Sequence, residues 1–563
     1  MKTLKKLLCV TLLLVLFNNN LFADSRKCID SCKVSGLLYS LYDDHTAQVE
    51  PDNFSYSGDI TIPSKIVYKE VEYRVSSVAD RAFADCGNLT KVVFPEEMDR
   101  LGSDLFLYAI YLDEVQLPKK VKSWAASSEF YQCDYLKKII LPSGLKKIGT
   151  DMFTNCESLE ELVIPEGVES IESFVVAGTK SLKTVKLPST VTSIETDAFN
   201  QRLANMNFDK SDWYYTQYGL EYSYSNFSSI VVDEANPNYK SVDGILYTKD
   251  GKSLICCPRG KEGVIKVADG TEEILPYAFY GCSKAEEVVL PASLRRFAGY
   301  SYSPELSGAF SWMLNLSKIN LPEGIERIGA KTFRTTLKLN HVKMPNSLKY
   351  LGKAFSTIGY MPDAPDSMLV SIDWQDAEVD TIVSQAITKQ PHFQVTLPKH
   401  LRYLGEGAFE GCPVPTQLII PENIEYFGQN IFGSNDSIMR LKSIICYRKE
   451  PLFMEPLIFS RFVKQGRKYV EEFCQDWADA CTLYVPASSV EAYKADENWG
   501  RFGKILPIED ELTAIDAAPS PEAKTEDVEA IYTVNGQKLS RLQKGINIIR
   551  YKNTSKARKV VVE

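Results

Sequence analysis

The sequence predicts a mainly β solenoid of about a dozen 23-residue coils, followed by a small β-rich C-terminal domain. One Phe, one small residue or Cys, and three aliphatic positions recur in fixed phase along most of the chain. With 44% apolar and 11% aromatic residues the chain can bury a core, which excludes disordered and low-complexity classes for most of its length. Prolines that close short apolar runs recur 23 or 24 residues apart within three groups: Pro95, Pro118, Pro142, Pro165 and Pro188; Pro322 and Pro345; Pro398 and Pro421.

Each repeat contains a turn followed by a short strand. The clearest copy is LKKIGTDMFTNCESLEELVIP, residues 145–165. Its alternation places Leu162 and Ile164 inside and Glu161 and Val163 outside, and the proline then ends the strand. The portion before the strand lacks a long helical period, so we expect a turn that places its Phe in the core, as at Phe83, Phe153, Phe199, Phe279, Phe333 and Phe409.

The N-terminus predicts export. A basic start, an apolar run from Leu7 to Phe17 and a polar break before Ala23 indicate a signal peptide cleaved after Ala23. Eleven apolar residues are too few to span a bilayer, so we expect no transmembrane segment in the mature chain. The predicted organisation is a signal peptide (1–23), an N-terminal cap with the first strands (24–74), a solenoid (75–511) with insertions at 205–227 and 356–394, a linker (512–528) and a β-rich tail (529–563).

The charge and the histidine content disfavour several functions. Loss of Lys2, Lys5 and Lys6 with the signal peptide lowers the net charge from −9 to −12, so we expect no nucleic-acid partner. Only four histidines occur, and we expect neither a metal nor another cofactor. His341 lies in the outward strand phase and is expected at the surface.

The chain lacks the motifs of the common enzyme classes, and we expect no catalytic residues and no enzyme activity. Acid pairs such as Glu160-Glu161, Glu286-Glu287 and Glu471-Glu472 could supply carboxylates for glycoside cleavage, but a solvated strand face is the favoured interpretation. An active site inside 356–394 is the remaining enzyme alternative, with these residues: Asp373, Asp376, Asp380 and His392.

The cysteines fall into two groups. Five share one phase of the repeat, which favours small buried thiols over disulfides: Cys86, Cys133, Cys156, Cys282 and Cys412. Four others lie outside this phase, and disulfides and thiols both remain open for them: Cys28, Cys32, Cys474 and Cys481.

An aromatic cluster in the first insertion is the candidate partner-binding site. Rigid aromatic side chains with a polar tip dominate protein hot spots and also stack on sugar rings. We expect them to contribute more to binding than single charges on strand faces, such as Lys138 and Glu161. The alternative is that they fold back to cover the solenoid. The candidate residues are Trp213, Tyr214, Tyr215, Tyr218, Tyr222 and Tyr224.

Three blocks of the sequence resemble the BspA-like leucine-rich repeat proteins. They are VSGLLYSLYDDHTAQV (34–49), residues 231–282, and LYVPASSVEAYKADENWGRFGKILPI (483–508), so the resemblance extends from about Val34 to Ile508. The resemblance implies a leucine-rich-repeat solenoid and a surface or extracellular binding protein, with host matrix proteins such as fibronectin or fibrinogen as a partner class. The basic tail from Ile531 is similar to the C-terminal domains of exported proteins of Bacteroides-like Gram-negative bacteria, some of which are type IX secretion sorting signals.

Together these observations predict a non-enzymatic exported or cell-surface protein that binds a macromolecule over an extended face. The expected partner is a protein, either from the host extracellular matrix or from another cell surface. The alternative is a surface protein that captures a glycan through the aromatic insertion at 205–227.

Overall fold

The structure is a computed structural model, and it divides the chain into two compact units, Met1–Leu506 and Pro507–Glu563. Within the described residues no helix is long and apolar enough to cross a membrane. The described residues are 26–124, 126–199, 225–299, 307–356, 368–374, 376–432, 440–452, 460–465, 468–508, 528–533, 538–539, 545–551 and 557–562.

The N-terminal strands form an antiparallel meander that leads into parallel pairing. The strands are β1 Cys28–Val34, β2 Leu37–Tyr42, β3 Thr46–Val49, β4 Ser57–Thr61, β5 Lys65–Tyr68, β6 Val71–Val78, β7 Asn88–Val93, β8 Glu97–Leu101, β9 Glu114–Gln116 and β10 Lys120–Trp124. One sheet has the order β1-β2-β3-β6-β8-β10, with β5 antiparallel to β6. A second, parallel sheet has the order β4-β7-β9.

Short parallel strands continue through the next repeats. They are β11 Lys147–Ile148, β12 Glu161–Val163, β13 Ser170–Ile171, β14 Thr184–Leu187, β15 Ser193–Ile194, β16 Ser229–Val232, β17 Tyr239–Val242, β18 Ile245–Thr248, β19 Ser253–Cys256, β20 Gly263–Lys266, β21 Glu273–Ile274, β22 Ala285–Val289 and β23 Arg296–Phe297. The sheets are β11-β13-β15, β12-β14-β16 and β17-β18-β19-β21-β23. Only β17, β18 and β19 pair antiparallel here.

The same pattern extends toward the C-terminus. The strands are β24 Lys318–Ile319, β25 Arg327–Ile328, β26 His341–Lys343, β27 Tyr350–Leu351, β28 Phe355–Ser356, β29 Ser371–Asp373, β30 Thr381–Ile382, β31 Ile387–Thr388, β32 Tyr403–Leu404, β33 Gln417–Ile420, β34 Tyr426–Phe427, β35 Ser443–Cys446, β36 Ser460–Gln465, β37 Lys468–Phe473, β38 Thr482–Val485 and β39 Lys504–Pro507. Their sheets are β20-β22-β24, β25-β27-β30-β32-β34, β26-β29, β28-β31, β33-β35-β38-β39 and the hairpin β36-β37.

Four short helical segments close this end of the first unit. They are the α-helices α1 Gln475–Ala480 and α2 Val490–Ala495 and the 3₁₀ turns Ala487–Ser489 and Trp499–Arg501. Their aromatic side chains are buried, and the indole N–H groups of Trp477 and Trp499 donate to the carbonyl oxygens of Leu441 and Leu452 at 2.7 and 2.8 Å. The helical segments therefore cover the apolar core at this end of the first unit.

Two parallel ladders flank the core. The proline-side ladder contains the strands that lead into the recurring prolines, such as β7, β9, β12 and β14. It also contains β16, which pairs with β14. The glycine-side ladder contains the strands that precede the turn, several of them followed by Gly, such as β8, β11, β27, β32 and β34. Most strands pair with a strand of an adjacent repeat, and the core runs between the ladders. The fold is mainly β, and the number of about a dozen coils stays a prediction.

The predicted inward and outward positions are confirmed. Leu162 and Ile164 are buried, whereas Glu161 and Val163 are exposed. The six predicted core phenylalanines are all buried, and two of them, Phe83 and Phe153, lie at the ends of a stack of nearly parallel rings with Phe106 and Phe130. Ring centroids of Phe83, Phe106, Phe130 and Phe153 follow one another at 5.5, 5.4 and 5.4 Å.

The repeat-phase cysteines are buried thiols, as predicted. Cys133, Cys156 and Cys412 donate to backbone carbonyls of the preceding repeat, at Sγ–O distances of 3.2, 3.0 and 3.4 Å. Burial raises the pKa of the Cys133 and Cys156 thiols and raises that of Cys412 to about 12. The cysteines left open by the sequence are also thiols in this structure: Cys28, Cys32, Cys474 and Cys481.

Glycines after the glycine-side strands permit close backbone contact between repeats. A Cβ at Gly102 would overlap the backbone of Asp80, and a Cβ at Gly405 would overlap that of Ser384. A side chain at either position would therefore push apart two repeats that the ladder hydrogen bonds hold together.

Part of the predicted insertion at 356–394 continues the repeat. β29, β30 and β31 pair in parallel with β26, β27 and β28 of the preceding repeat. These strands have only two or three residues and lack the usual proline and the usual turn sequence, so their alternation is too short to be recognised in the sequence.

The unit Pro507–Glu563 contains an antiparallel sheet in the order β41-β40-β42-β43. Its strands are β40 Val528–Thr533, β41 Lys538–Leu539, β42 Gly545–Tyr551 and β43 Ala557–Val562. The role of this unit as a separate domain with a sorting function stays a prediction. The predicted signal peptide, 1–23, lies outside the described residues.

Candidate binding face on the proline-side ladder

The predicted aromatic site lies outside the described residues, which resume at Ser225 after the first insertion. It consists of Trp213, Tyr214, Tyr215, Tyr218, Tyr222 and Tyr224. Phe227, the next aromatic along the chain, is fully buried in the core. Among the described residues, the candidate binding face therefore lies on the strand ladders.

The outward side of the proline-side ladder carries exposed aliphatic side chains. Ile140 is 73% exposed, Val163 45% and Val231 44%. The strand register places Lys186 between Val163 and Val231. The row of exposed aliphatic side chains is therefore interrupted after Val163, where strand pairing places a lysine.

Charges on this face alternate in sign from repeat to repeat. Acidic pairs at Asp113-Glu114 and Glu160-Glu161 are each followed by a repeat with two lysines, Lys137-Lys138 and Lys183/Lys186. Glu160 and Glu161 bind Lys183 and Lys186 at 2.9 and 2.7 Å, so this acid pair is a solvated, ion-paired surface. The hydrogen bond from Lys183 is the main cause that lowers the pKa of Glu160.

Two tyrosine pairs lie in the turns of these repeats, and one of the pairs is exposed. Tyr111 and Tyr135 are 51% and 50% exposed, with ring centroids 5.2 Å apart. Tyr108 and Tyr131 meet edge to face at 5.4 Å. Sequence reasoning missed these residues because single tyrosines in a turn fit a buried or an exposed position equally well. Their recurrence at the same phase of two successive repeats was the available signal.

A second polar surface lies on the glycine-side ladder. Tyr403 and Tyr426 stack at 4.7 Å beside a cleft of about 490 Å³. The cleft is lined by Glu378, Asp380, His400, Arg402, Glu422, Asn423, Glu425 and Arg448. Arg402 and Glu425 form an ion pair at 2.6 Å, so part of this charge is compensated internally.

The structure does not assemble the alternative active site. Asp380 lines the cleft, but Asp373, Asp376 and His392 do not. His341 is exposed, as predicted, and its Nδ1 lies 2.8 Å from Ser371 Oγ. Among the described residues no group of three or more His, Cys, Asp or Glu side chains is placed to hold a metal ion.

The parallel ladders around a continuous aliphatic core define the class, a leucine-rich-repeat protein. A family model described as BspA type Leucine rich repeat region matches residues 76–209, 305–361 and 366–447 in six copies. The matched residues are therefore similar to BspA-type leucine-rich repeats.

Solved structures of leucine-rich-repeat proteins resemble the chain, whereas no curated protein matches it. A leucine rich cell surface protein from Faecalibacterium prausnitzii is 19% identical, with a TM-score of 0.43, over 71% of this chain and 90% of that chain. The pneumococcal vaccine antigen PcpA is 18% identical, with a TM-score of 0.48, over 86% and 99%. A leucine-rich repeat protein from Bacteroides ovatus is 16% identical, with a TM-score of 0.37, over 71% and 98%. These similarities carry no argument about what the chain binds.

Proposed function

We propose that the chain is a non-enzymatic, exported or cell-surface binding protein whose leucine-rich repeats bind a macromolecular partner, such as a host matrix protein. The observation that carries this proposal is the outward side of the proline-side ladder, where Ile140 and Val163 stay exposed beside Tyr135. Exposed apolar groups on a rigid sheet mark interaction surfaces more often than chance.

Packing of the core does not depend on these exposed side chains. The buried residues of the same repeats already supply the packing between ladders, and the exposed positions can vary without loss of the fold. A long face with varied side chains and a few apolar anchors is the arrangement in which a few residues carry most of the binding energy. The aromatic cluster from Trp213 to Tyr224 is proposed as an additional anchor of this interface.

The alternative is capture of a glycan through the insertion at 205–227. Its density of Trp and Tyr side chains in the sequence favours this reading, because aromatic faces stack on sugar rings. A glycan ligand would depend on the insertion and not on the strand face.

Binding arrays separate the two functions. The exported chain, residues 24–563, is applied to an array of purified matrix proteins and to a glycan array. We expect specific binding to a matrix protein, weakened by more than about 2 kcal/mol when Trp213, Tyr214, Tyr215 and Tyr218 are replaced by Ala. Binding to glycans alone, with the same loss, would establish the alternative. Binding to neither array would contradict the proposed function.

The tail is proposed to act in delivery or anchoring. Deletion of residues 513–563 should leave the unfolding midpoint of the repeat unit unchanged and alter where the protein accumulates in its native cell. Cell fractionation with an antibody to the repeat unit measures this. Unchanged localisation would reduce the tail to a cap or spacer.

A further inference from the structure

The proline-side ladder is interrupted between β9 and β12. Within the described stretch 114–163, no backbone hydrogen bond joins residues 138–141 to either neighbouring strand. The segment is held instead by its buried side chains, Ile139 and Leu141, each about one-twentieth exposed. The face therefore contains one extended segment whose outward side chains are not fixed by a ladder, and such a segment adapts more readily to a partner.

Among the described residues, the side chains of Lys137 and Lys138 form no ion pair and no hydrogen bond. The backbone carbonyl of Lys137 accepts a hydrogen bond from the N–H of Glu160 at 3.2 Å, and the charge of Lys137 is a minor cause that lowers the pKa of Glu160. The acids that flank them are already engaged: Glu114 binds Lys91 at 2.8 Å, while Glu160 and Glu161 bind the next repeat.

Two further acids lie close in the sequence, and they do not change this account. Asp113 and Asp134 form no ion pair with either lysine. Burial, followed by repulsion from Glu157, raises the pKa of Asp134 to about 6. Lys180 attracts this carboxylate and offsets part of the increase.

Exposed apolar side chains occur in the same segment and in the next repeat. Ile140 is 73% exposed, and Tyr135 in the same segment and Val163 in the next repeat are 50% and 45% exposed. Uncompensated positive charge beside apolar area fits an acidic segment of a protein whose carboxylates alternate with aliphatic or aromatic side chains.

We propose that Tyr135, Lys137, Lys138 and Ile140 form the anchor of the partner interface, and that the anchor binds an acidic, apolar-flanked protein segment. This inference rests on the proposed binding function and names the chemistry of the partner. It differs from the expectation that Lys138 contributes little. That expectation treated all charges of the face alike, whereas the structure distinguishes the ion-paired lysines from these two.

The test uses labelled 12-residue peptides and the exported chain, residues 24–563, in fluorescence anisotropy. The peptides alternate Val with Glu, with Gln, or with Lys. We expect the Glu peptide to bind, the Gln and Lys peptides to bind at least tenfold more weakly, and the affinity to fall as salt rises. Lack of binding by the Glu peptide, or equal binding of the Gln peptide, would overturn the inference.

Matched variants locate the contact. The double change Lys137→Ala and Lys138→Ala should weaken Glu-peptide binding at least tenfold, and Ile140→Ser at least fivefold. The double change Lys183→Ala and Lys186→Ala removes the same charge from ion-paired positions and should change binding less than twofold. The double change Lys137→Arg and Lys138→Arg keeps both charges and should retain Glu-peptide binding. Equal losses in both alanine pairs would reduce the effect to net charge and reject the anchor.

Two outcomes keep this inference distinct from the proposed function. A matrix protein that binds the Lys137→Ala, Lys138→Ala variant as tightly as the parent rejects the anchor and leaves the function standing. Strong binding of heparin in place of the Glu peptide rejects the protein segment in favour of an anionic glycan. Each variant is first shown to retain the parent unfolding midpoint, since these side chains are exposed.

Discussion

The interior and the outward side of the repeats follow different rules. Inside, consecutive repeats place the same side chain at the same position, and Phe106, Phe130 and Phe153 stack at 5.4 Å with rings within about 10° of parallel. Outside, the sign of the charge reverses from Lys137-Lys138 to Glu160-Glu161. An interior position must fit its copy in the next repeat, whereas an outward position only has to remain hydrated or find a partner.

The interior is not uniform, and its looser part sharpens the comparison. Phe393, Phe409 and Phe432 are separated by 6.1 and 6.3 Å, with their rings tilted by 23° and 29°. This looser stack begins at the end of the predicted 356–394 insertion. Phe409 and Phe432 are 23 residues apart, the regular repeat spacing, so the looser stack does not follow from a change in repeat length.

The largest effect is expected from truncation inside the regular stack. Phe130→Ala removes a fully buried ring between two stacked rings and should lower the free energy of unfolding by about 3–5 kcal/mol. Phe409→Ala should cost less, toward about 3 kcal/mol, because its ring overlaps its neighbours less. Urea denaturation followed by near-ultraviolet circular dichroism measures both. Phe130→Leu is the control, and an equal cost for both alanine variants would contradict the distinction.

A smaller loss of stability is expected when a side chain pushes two repeats apart at the glycine-side ladder. Gly102→Ala places a methyl group against the backbone of Asp80 and should cost about 2–3 kcal/mol. Gly87→Ala is the matched control, because a Cβ there meets no atom within 4 Å. Thermal unfolding of the two variants gives the comparison. If Gly87→Ala is as harmful as Gly102→Ala, close approach between repeats is not the reason for the glycine.

The buried positions of the repeats could be predicted from the sequence, whereas the strand pairing and ion pairs of the proline-side ladder could not. Burial imposes the alternation that identified Leu162 and Ile164, and the repeat phase identified the core phenylalanines. The broken ladder at 138–141 could not be predicted, because Lys138-Ile139-Ile140-Leu141 alternates in the same way as strands that do pair. The ion pairs also escaped prediction, since their partners lie about 23 residues apart and meet only through stacking.

Glu129 is a buried titratable residue of the interior, so its replacement tests how a charge there affects stability. Its carboxyl is fully buried and accepts hydrogen bonds from the backbone N–H groups of Leu105 and Ser127 at 2.8 and 3.2 Å. Burial raises its pKa to about 8. The folded state therefore holds the proton more tightly than the unfolded state, and the stability from this group is full below pH 4.5 and lost as pH rises through about 8.

Replacement by Gln should remove this dependence. Glu129→Gln should match the parent near pH 5 and exceed its stability by about 4 kcal/mol near pH 8.5, since the amide carries no charge to bury. Urea denaturation at the two pH values measures the difference. A difference between variant and parent that is the same at both values would show that the pKa of Glu129 is the same in the folded and the unfolded state.

The smallest effect is expected on the outward side, at the Lys183–Glu160 pair. Both side chains are about 60% exposed, and exposed ion pairs gain little because water and salt screen them. Lys183→Ala should leave the unfolding midpoint within error of the parent, in contrast to every interior substitution above. The same measurement on Lys138→Ala, which breaks no ion pair, provides the control. If Lys183→Ala unfolds clearly earlier than Lys138→Ala, the charges on this face help to hold adjacent repeats together, and an outward position would then be constrained by its copy in the next repeat as the phenylalanines are.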